Sequence, residues 1–433
     1  MIDIKLLREN SKLVKDNIRK KFQNEKLPLV DDVKKLDEEW RGLKYKVDKL
    51  RAERNKISKE INQVKKSKDE KKAKVLIKRA KEIPEKIEKI EKKSKKVYSE
   101  INKLMVQIPN IIHISVPVGK DENDNVALKK IGKPKKLNFN VKNHIDLGEN
   151  LGGLDFVRSA KVSGKGFYYL KGDIALLNQA LIRFSIDFMQ KRGYTYIEPP
   201  LMLKKEILSA ALDTEEFKDT IYEIKEEDLN LIGTSEYSLL GMHANETFKE
   251  NELPKKYFSY SMCFRKEIGS HGINEKGLFR THQFNKIEEF IFCKPEDSYK
   301  YYEEMMNDSI ELYKKLKIPT RVLEMCSGDL AAWKSKSADL EAWRPTVKDY
   351  EEVGSLSNCT DFQARNLNIR ARLKNNENVF VHTLNNTVIA TSRALVAVLE
   401  NYQQRDGSIK IPSVLVSYMG GKKKIEKKIR LFS

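Results

Sequence analysis

Residues 261–292 read Ser-Met-Cys-Phe-Arg-Lys-Glu-Ile-Gly-Ser-His-Gly-Ile-Asn-Glu-Lys-Gly-Leu-Phe-Arg-Thr-His-Gln-Phe-Asn-Lys-Ile-Glu-Glu-Phe-Ile-Phe. Two apolar runs, 260–264 and 281–292, flank a polar loop holding Gly269, Gly272 and Gly277, which predicts a β-hairpin with a long loop. Arg265, Glu267, Arg280 and Glu288 fall on the strands or at their ends. Alternation puts Arg265 and Glu267 on one face of the first strand, and Phe284, Lys286 and Glu288 on one face of the second. Charged residues on one strand face ordinarily mean solvent. Here Phe284 shares the face, and the loop glycines let backbone approach a ligand closely.

Outward from the hairpin, 433 residues are long for one domain and predict two, or a domain with an appendage. The formal charge of +20 points to a polyanionic partner, because Lys and Arg that neutralise phosphates release counterions. That charge is uneven: residues 1–110 hold 34 Lys and Arg against 19 Asp and Glu. A solvated helix surface explains such a run as well as nucleic-acid contact does. The four cysteines, Cys263, Cys293, Cys326 and Cys359, form no Cys-x-x-Cys pair and are expected to be buried and reduced. The histidines show no zinc spacing, and no run of 18 apolar residues occurs, so a soluble, cytoplasmic protein without a membrane partner is expected.

The first segment predicts an amphipathic helix over 4–22 and then two heptad runs. Val33, Leu36, Trp40, Leu43, Val47, Leu50, Arg54, Ile57, Ile61 and Val64 alternate spacings of three and four, broken only by Arg54. After the polar stretch 65–72 the pattern resumes from Leu76 to Ile108. Two such runs joined by a short turn predict an antiparallel coiled coil over about 30–108. Pro84 lies inside the second run and is expected to kink or break it. Residues 109–136, rich in Pro and Gly, predict a linker, and 143–148 predicts connecting turns. The domain plan is therefore an arm over 1–108, a connecting segment over 109–170, a main body over 171–425 and a basic tail over 426–433.

Within the body, Asp173 is expected to cap a helix bearing Leu177, Leu181, Phe184 and Phe188 that Gly193 closes, with a strand over 194–198. Thr234-Ser235-Glu236 sets two hydroxyls beside a carboxylate, a pattern equally at home in a helix cap. Glu352-Val353-Gly354-Ser355 and the run from Thr383-Leu-Asn-Asn-Thr to Arg393 carry further polar groups amid apolar sequence. Arg393 opens an apolar helix, a natural anion position.

Phe-Arg-Lys-Glu, a loop, then Phe-Arg-Thr-His-Gln-Phe-Asn-Lys-Ile-Glu closely resembles the second signature motif of class II aminoacyl-tRNA synthetases, in the spelling of the seryl-tRNA synthetases. Residues 193–200 resemble the first motif and 383–402 the third. The resemblance implies an α+β fold, an antiparallel sheet flanked by helices with the long coiled coil at the N-terminus. It also implies a homodimer that joins L-serine, ATP and Mg²⁺ through seryl-adenylate to tRNA(Ser), with tRNA(Sec) the other acceptor it allows, gripped by the basic arm.

On the same resemblance serine meets Thr234, Ser235, Glu236, Arg265, Glu288, Asn385 and Thr387. ATP meets Arg265, Lys266, Glu267, Phe284, Glu352, Val353, Gly354, Ser355 and Arg393, with Glu352 and Ser355 on Mg²⁺, and Arg265 and Arg393 acting in catalysis. Such chemistry needs no enzyme nucleophile, only positioning and charge stabilisation. Two departures stand out: Leu356 where many relatives carry Cys, and Gly164-Lys-Gly-Phe167 where relatives tend to have Arg before the Phe. Two other readings remain open, a relative charging a carrier protein and a non-catalytic paralogue acting as a coiled-coil RNA-binding or scaffolding protein.

Overall fold

The structure, a computed structural model, describes residues 1–66, 69–212, 214, 217–267 and 277–427. Gly269 and Gly272 of the hairpin loop and residues 428–433 of the basic tail lie outside them. The chain divides into two compact units, Met1–Pro109 and Asn110–Ser433.

In the first unit Asp3 accepts a hydrogen bond from Lys5 N at 2.8 Å and opens helix α1 (Ile4–Lys20). It ends short of Phe22, which takes φ +57°. Helices α2 (Leu27–Lys66) and α3 (Glu70–Met105) follow, about 60 and 54 Å long at ~1.5 Å per residue. Their seam buries Val47 and Ile57 against Ile83 and Ile87. Ion pairs Lys93–Glu39 at 2.7 Å, Arg79–Glu53 at 2.6 Å and Arg51–Glu91 at 2.8 Å cross it, and Trp40 stacks on Tyr98 at 5.1 Å. Partners later in α2 pair with residues earlier in α3, so the helices run antiparallel, as the heptads predict.

Two details depart from the heptads. Arg54, at a predicted seam position, is exposed, whereas Asp37, off the seam, is buried. Arg8 of α1 clasps Asp37 through Nε at 2.8 Å and Nη2 at 2.6 Å, and Arg41 adds a bond at 2.9 Å, which compensates its desolvation. The predicted break at Pro84 does not occur, and α3 is helical throughout. Pro84 stands on the exposed face, while buried Ile83 and Ile87 hold the helix to its partner.

The second unit is built on a sheet of eight strands among the described residues. In chain order they are β1 (Val126–Ile131), β2 (Thr195–Tyr196), β3 (Lys255–Phe264), β4 (Gln283–Cys293), β5 (Thr320–Glu324), β6 (Lys336–Arg344), β7 (Asp349–Thr360) and β8 (His382–Ala390). The spatial order is β1-β5-β6-β7-β8-β4-β3-β2. Every pairing is antiparallel except β2 with β3. The predicted hairpin is β3–β4, with Phe264 opposite Gln283, so Arg265 and Glu267 lie just past the end of β3 rather than on it.

Helices α5 (Gly172–Gln190), α7 (Ser298–Lys315) and α8 (Thr391–Tyr402) pack with the sheet into one apolar core containing Leu177, Leu181, Met305, Leu312, Leu395 and Leu399. A short helix α6 (Glu236–Gly241) and α4 (His144–Asn150) complete the parts that matter for the site.

Four expectations for this unit change. The predicted linker 109–136 contributes β1 to the sheet, and the Asn110 amide donates to Trp333 O at 3.0 Å and Cys359 O at 2.8 Å. Its Pro and Gly residues mark turns of the body rather than a free tether. Residues 143–148, predicted as turns, enter α4, because Asn143 accepts from Asp146 N at 2.9 Å and caps it. Asp173 does not cap α5: the cap is Lys171, and Asp173 instead pairs with Lys422 Nζ at 2.6 Å. The predicted strand 194–198 narrows to β2, after Gly193 turns the chain with φ +78°. All four cysteines are buried and unpaired.

Candidate active site

Alternation along β4 and β8 decides what one sheet face offers. Phe284, Lys286 and Glu288 of β4 and Asn385 and Thr387 of β8 line a cavity of about 500 Å³. The residues between them turn the other way: Asn386 donates to Met305 O at 3.0 Å and to Ser309 Oγ at 2.7 Å on α7.

Strand β7 needs a further device, since residues 352 and 355 should fall on opposite faces. Gly354 pairs with Leu340 and Glu352 with Glu341, so Val353 is an extra residue, a β-bulge. It restores phase, and both Glu352 and Ser355 line the cavity. Gly354 is required by close approach: a Cβ there would stand 2.6 Å from Thr387 O.

At one end, Thr234 Oγ1 accepts from Lys286 Nζ at 2.6 Å and from Glu236 N at 3.2 Å. The same ammonium pairs with Glu288 at 2.6 Å, and Thr387 Oγ1 donates to Glu288 at 3.1 Å. Gln363 Nε2 donates to Glu236 at 2.8 Å and Thr383 Oγ1 donates to Gln363 at 2.7 Å, which fixes that carboxylate. Burial, then the nearby Glu288 charge, push the Glu236 carboxyl up to about 7.

At the mouth of the hairpin Arg265 donates through Nε to Gly233 O at 3.1 Å, and its guanidinium lies 5.5 Å from the centre of the Phe284 ring. At the other end Arg393, in the first turn of α8, pairs with Glu352 at 2.8 Å and sits 4.9 Å from the Phe279 ring centre. Glu267 lines the cavity with φ +40°, uncommon for a residue with a side chain.

The cavity thus brings together Thr234, Glu236, Arg265, Glu267, Phe284, Glu288, Glu352, Val353, Gly354, Ser355, Asn385, Thr387 and Arg393. Two predicted site residues stand apart from its lining. Ser235 is fully buried as the residue before α6, and Lys266 extends over the Tyr222 ring at 5.7 Å. Asp339, Lys334, Phe279 and Lys286 are among the lining residues not singled out from sequence for a site role. Asp339 of β6 faces Ser355 across the strand pair, and burial, then the Glu352 charge, raise its carboxyl to about 8. Its signal was the alternation of Asp339 and Glu341 with Ala338, Leu340 and Ala342.

Comparison with known proteins fits this geometry. Residues 217–402, which span nearly all of the cavity, match the tRNA synthetase class II core domain (G, H, P, S and T), and residues 1–112 match the seryl-tRNA synthetase N-terminal domain. Serine–tRNA ligase of Pyrococcus horikoshii is 44% identical over 99% of both chains.

The chain belongs to the seryl-tRNA synthetase family.

Its backbone follows that of two solved seryl-tRNA synthetases. The Pyrococcus horikoshii enzyme, crystallised with ATP, superposes with TM-score 0.92 at 44% identity, covering 99% of this chain and 100% of that one. The cytoplasmic enzyme of Naegleria fowleri, crystallised with AMP, gives 0.88 at 36% identity and 99% of both chains. As a seryl-tRNA synthetase family member the chain has the α+β class II core read from its hairpin, preceded by the coiled-coil arm. Among the described residues no helix is long and apolar enough to cross a membrane.

Proposed function

We propose that the chain is an ATP-dependent serine–tRNA ligase, activating L-serine as seryl-adenylate and passing the seryl group to tRNA(Ser). The observation that carries this is one cavity that holds Glu236 and Glu288 beside hydroxyls at one end and Arg393 with the Glu352 and Ser355 oxygens at the other, with Arg265 at the hairpin mouth. Glu236, Glu288 and Thr387 suit an amino acid with an ammonium and a hydroxyl, while Arg265 and Arg393 suit phosphates. A carboxylate oxygen of serine attacks the α-phosphorus of ATP, the bond to the bridging oxygen breaks, and pyrophosphate leaves with the electron pair. A ribose hydroxyl of tRNA then displaces AMP from the acyl carbon.

In the first step Arg265, steadied by Gly233 O and Phe284, meets charge growing at the α-phosphate. Phe284 offers a face for adenine stacking beside Glu267, and Arg393 reaches the leaving phosphates. Glu352 and Ser355, brought to one side by the bulge and joined by Asp339, are hard oxygen donors that fit Mg²⁺, which would neutralise the phosphates. A pocket that hydrogen-bonds a hydroxyl rejects alanine, since its own polar groups would be stranded, while threonine must be excluded by shape.

The arm, carrying the greater part of the positive charge, supports a grip on the extended backbone of tRNA(Ser), read through shape more than through bases. A homodimer goes with this reading through the resemblance of residues 193–200 to the family's first motif. A cytoplasmic setting goes with this reading. The carrier-protein and non-catalytic readings gain no support from an arm and a cavity this complete.

The deciding experiment is ATP–pyrophosphate exchange with serine, alanine and threonine, followed by charging of tRNA(Ser). Exchange with serine alone is expected; none with any amino acid, from folded protein supplied with Mg²⁺, would overturn the enzyme reading.

A further inference from the structure

Lys334 stands in the cavity without the carboxylate partner that two of its other cations have. Lys286 is paired with Glu288 at 2.6 Å and Arg393 with Glu352 at 2.8 Å. The Lys334 ammonium donates only to a neutral oxygen, Ser337 Oγ at 3.3 Å, and has no carboxylate within ion-pair distance among the described residues. Its backbone is fixed on both sides: Lys334 N donates to Ala331 O at 3.1 Å and Ser335 N to Asn358 O at 2.8 Å. A half-buried cation on a fixed base, aimed into a cavity, is poised for an anion that arrives with substrate.

Position narrows which anion. Ser337, which receives the Lys334 ammonium, shares its strand face with Asp339 at the phosphate end, and its hydroxyl lies 3.1 Å from that of Ser357, whose cross-strand partner is Asn385 at the serine end. Its ammonium therefore lies between the two ends, where the two substrates must join. Resting on the proposed function, we propose that Lys334 contacts the reacting carboxylate and α-phosphate, as a second cation beside Arg265 that acts in adenylate formation. As the serine oxygen bonds to phosphorus and the bond to pyrophosphate breaks, negative charge concentrates on the non-bridging α-oxygens. Lys334 donates a hydrogen bond to that charge and keeps its own proton throughout. An ammonium is a compact point charge, suited to one oxygen rather than to a bidentate grip.

A cation that merely neutralised the acidic walls would be felt in stability and in substrate binding alike. The test compares wild type, Lys334→Gln and Lys334→Arg in serine-dependent ATP–pyrophosphate exchange, with thermal melting as the folding control. Lys334→Gln is expected to melt with wild type, to lose exchange about a hundredfold at saturating serine and ATP, and to keep both KM values within about threefold. Lys334→Arg is expected to recover at least about a tenth of the wild-type rate, and transfer of preformed seryl-adenylate to tRNA to proceed normally in both variants. The proposal is overturned if Lys334→Gln exchanges within about threefold of wild type, or if its loss lies only in KM. Wild type that fails to exchange with serine would instead overturn the proposed function itself.

Discussion

Glu236 stands at the serine end of the cavity with its carboxyl raised into the neutral range by burial and then by the nearby Glu288 charge. A carboxyl titrating near 7 is partly protonated at neutral pH, and only its ionised form attracts an ammonium. Exchange measured as kcat/KM for serine should therefore rise with pH through about 7, and Glu236→Gln should flatten that limb. Arg265→Ala should lower exchange by about 10²–10³-fold, because Arg265 is asked to meet charge that develops only during reaction. Gly354→Ala carries a different cost. Its Cβ would meet Thr387 O, a backbone atom that cannot swing aside, so a loss of about 1–3 kcal/mol in denaturant unfolding is expected.

At this scale the sequence was most legible where charge and aromatic side chains alternate, as at Phe284 and Glu288. Lys334 and Asp339 escaped because each belongs to a stretch whose neighbours are small or apolar, and only the sheet brings them to Ser355 and Glu236. Ser235 was legible in pattern but turns into the protein ahead of α6.

Among the elements, the arm is the plainest consequence of its sequence, since a seam of period three and four can be buried only by another such helix. Pro84 shows where that argument stops. A proline weakens a helix by a local term, and the term is outweighed when the proline faces outward and its buried neighbours are anchored. The linker misreading has the same origin: Pro and Gly mark turns, and turns occur inside a folded body as well as between bodies. Because the arm carries so much of the positive charge, its contribution should be salt-sensitive. Raising salt from 50 to 200 mM should increase KM for tRNA steeply in charging assays while exchange, which needs no tRNA, changes little. Ile83→Ala, at a seam position 2% exposed, should loosen the arm and weaken charging in the same selective way.

For the whole molecule, the face of the sheet opposite the cavity holds a costly group. Glu289 is fully buried beside Asp308 and Tyr194, and Asp308 is held by Arg192 at 2.6 Å. Burial raises both carboxyls, Glu289 well above its ordinary value and Asp308 to about 6. A carboxyl raised on folding holds a proton that the unfolded chain releases, so its effect on stability worsens as pH rises from the unfolded value through the folded one. Glu289→Gln keeps an acceptor for Asn386 and removes the titration. Its denaturation midpoint should gain on wild type progressively as pH is raised from about 4 to 7.

The extra residue at Val353 has a consequence for how such a chain can change over time. It splits β7 into two blocks, 349–352 and 354–358, whose side chains keep opposite parity. Within either block, substitutions at outward positions leave the cavity's composition alone. Deleting Val353 would leave Glu352 and Ser355 two residues apart on one face of a regular strand; what would part them is a change that keeps every residue but straightens the bulge, which turns Glu352 away from Ser355. The strand thus depends on whatever holds Val353 as the extra residue, more than on the count of residues around it.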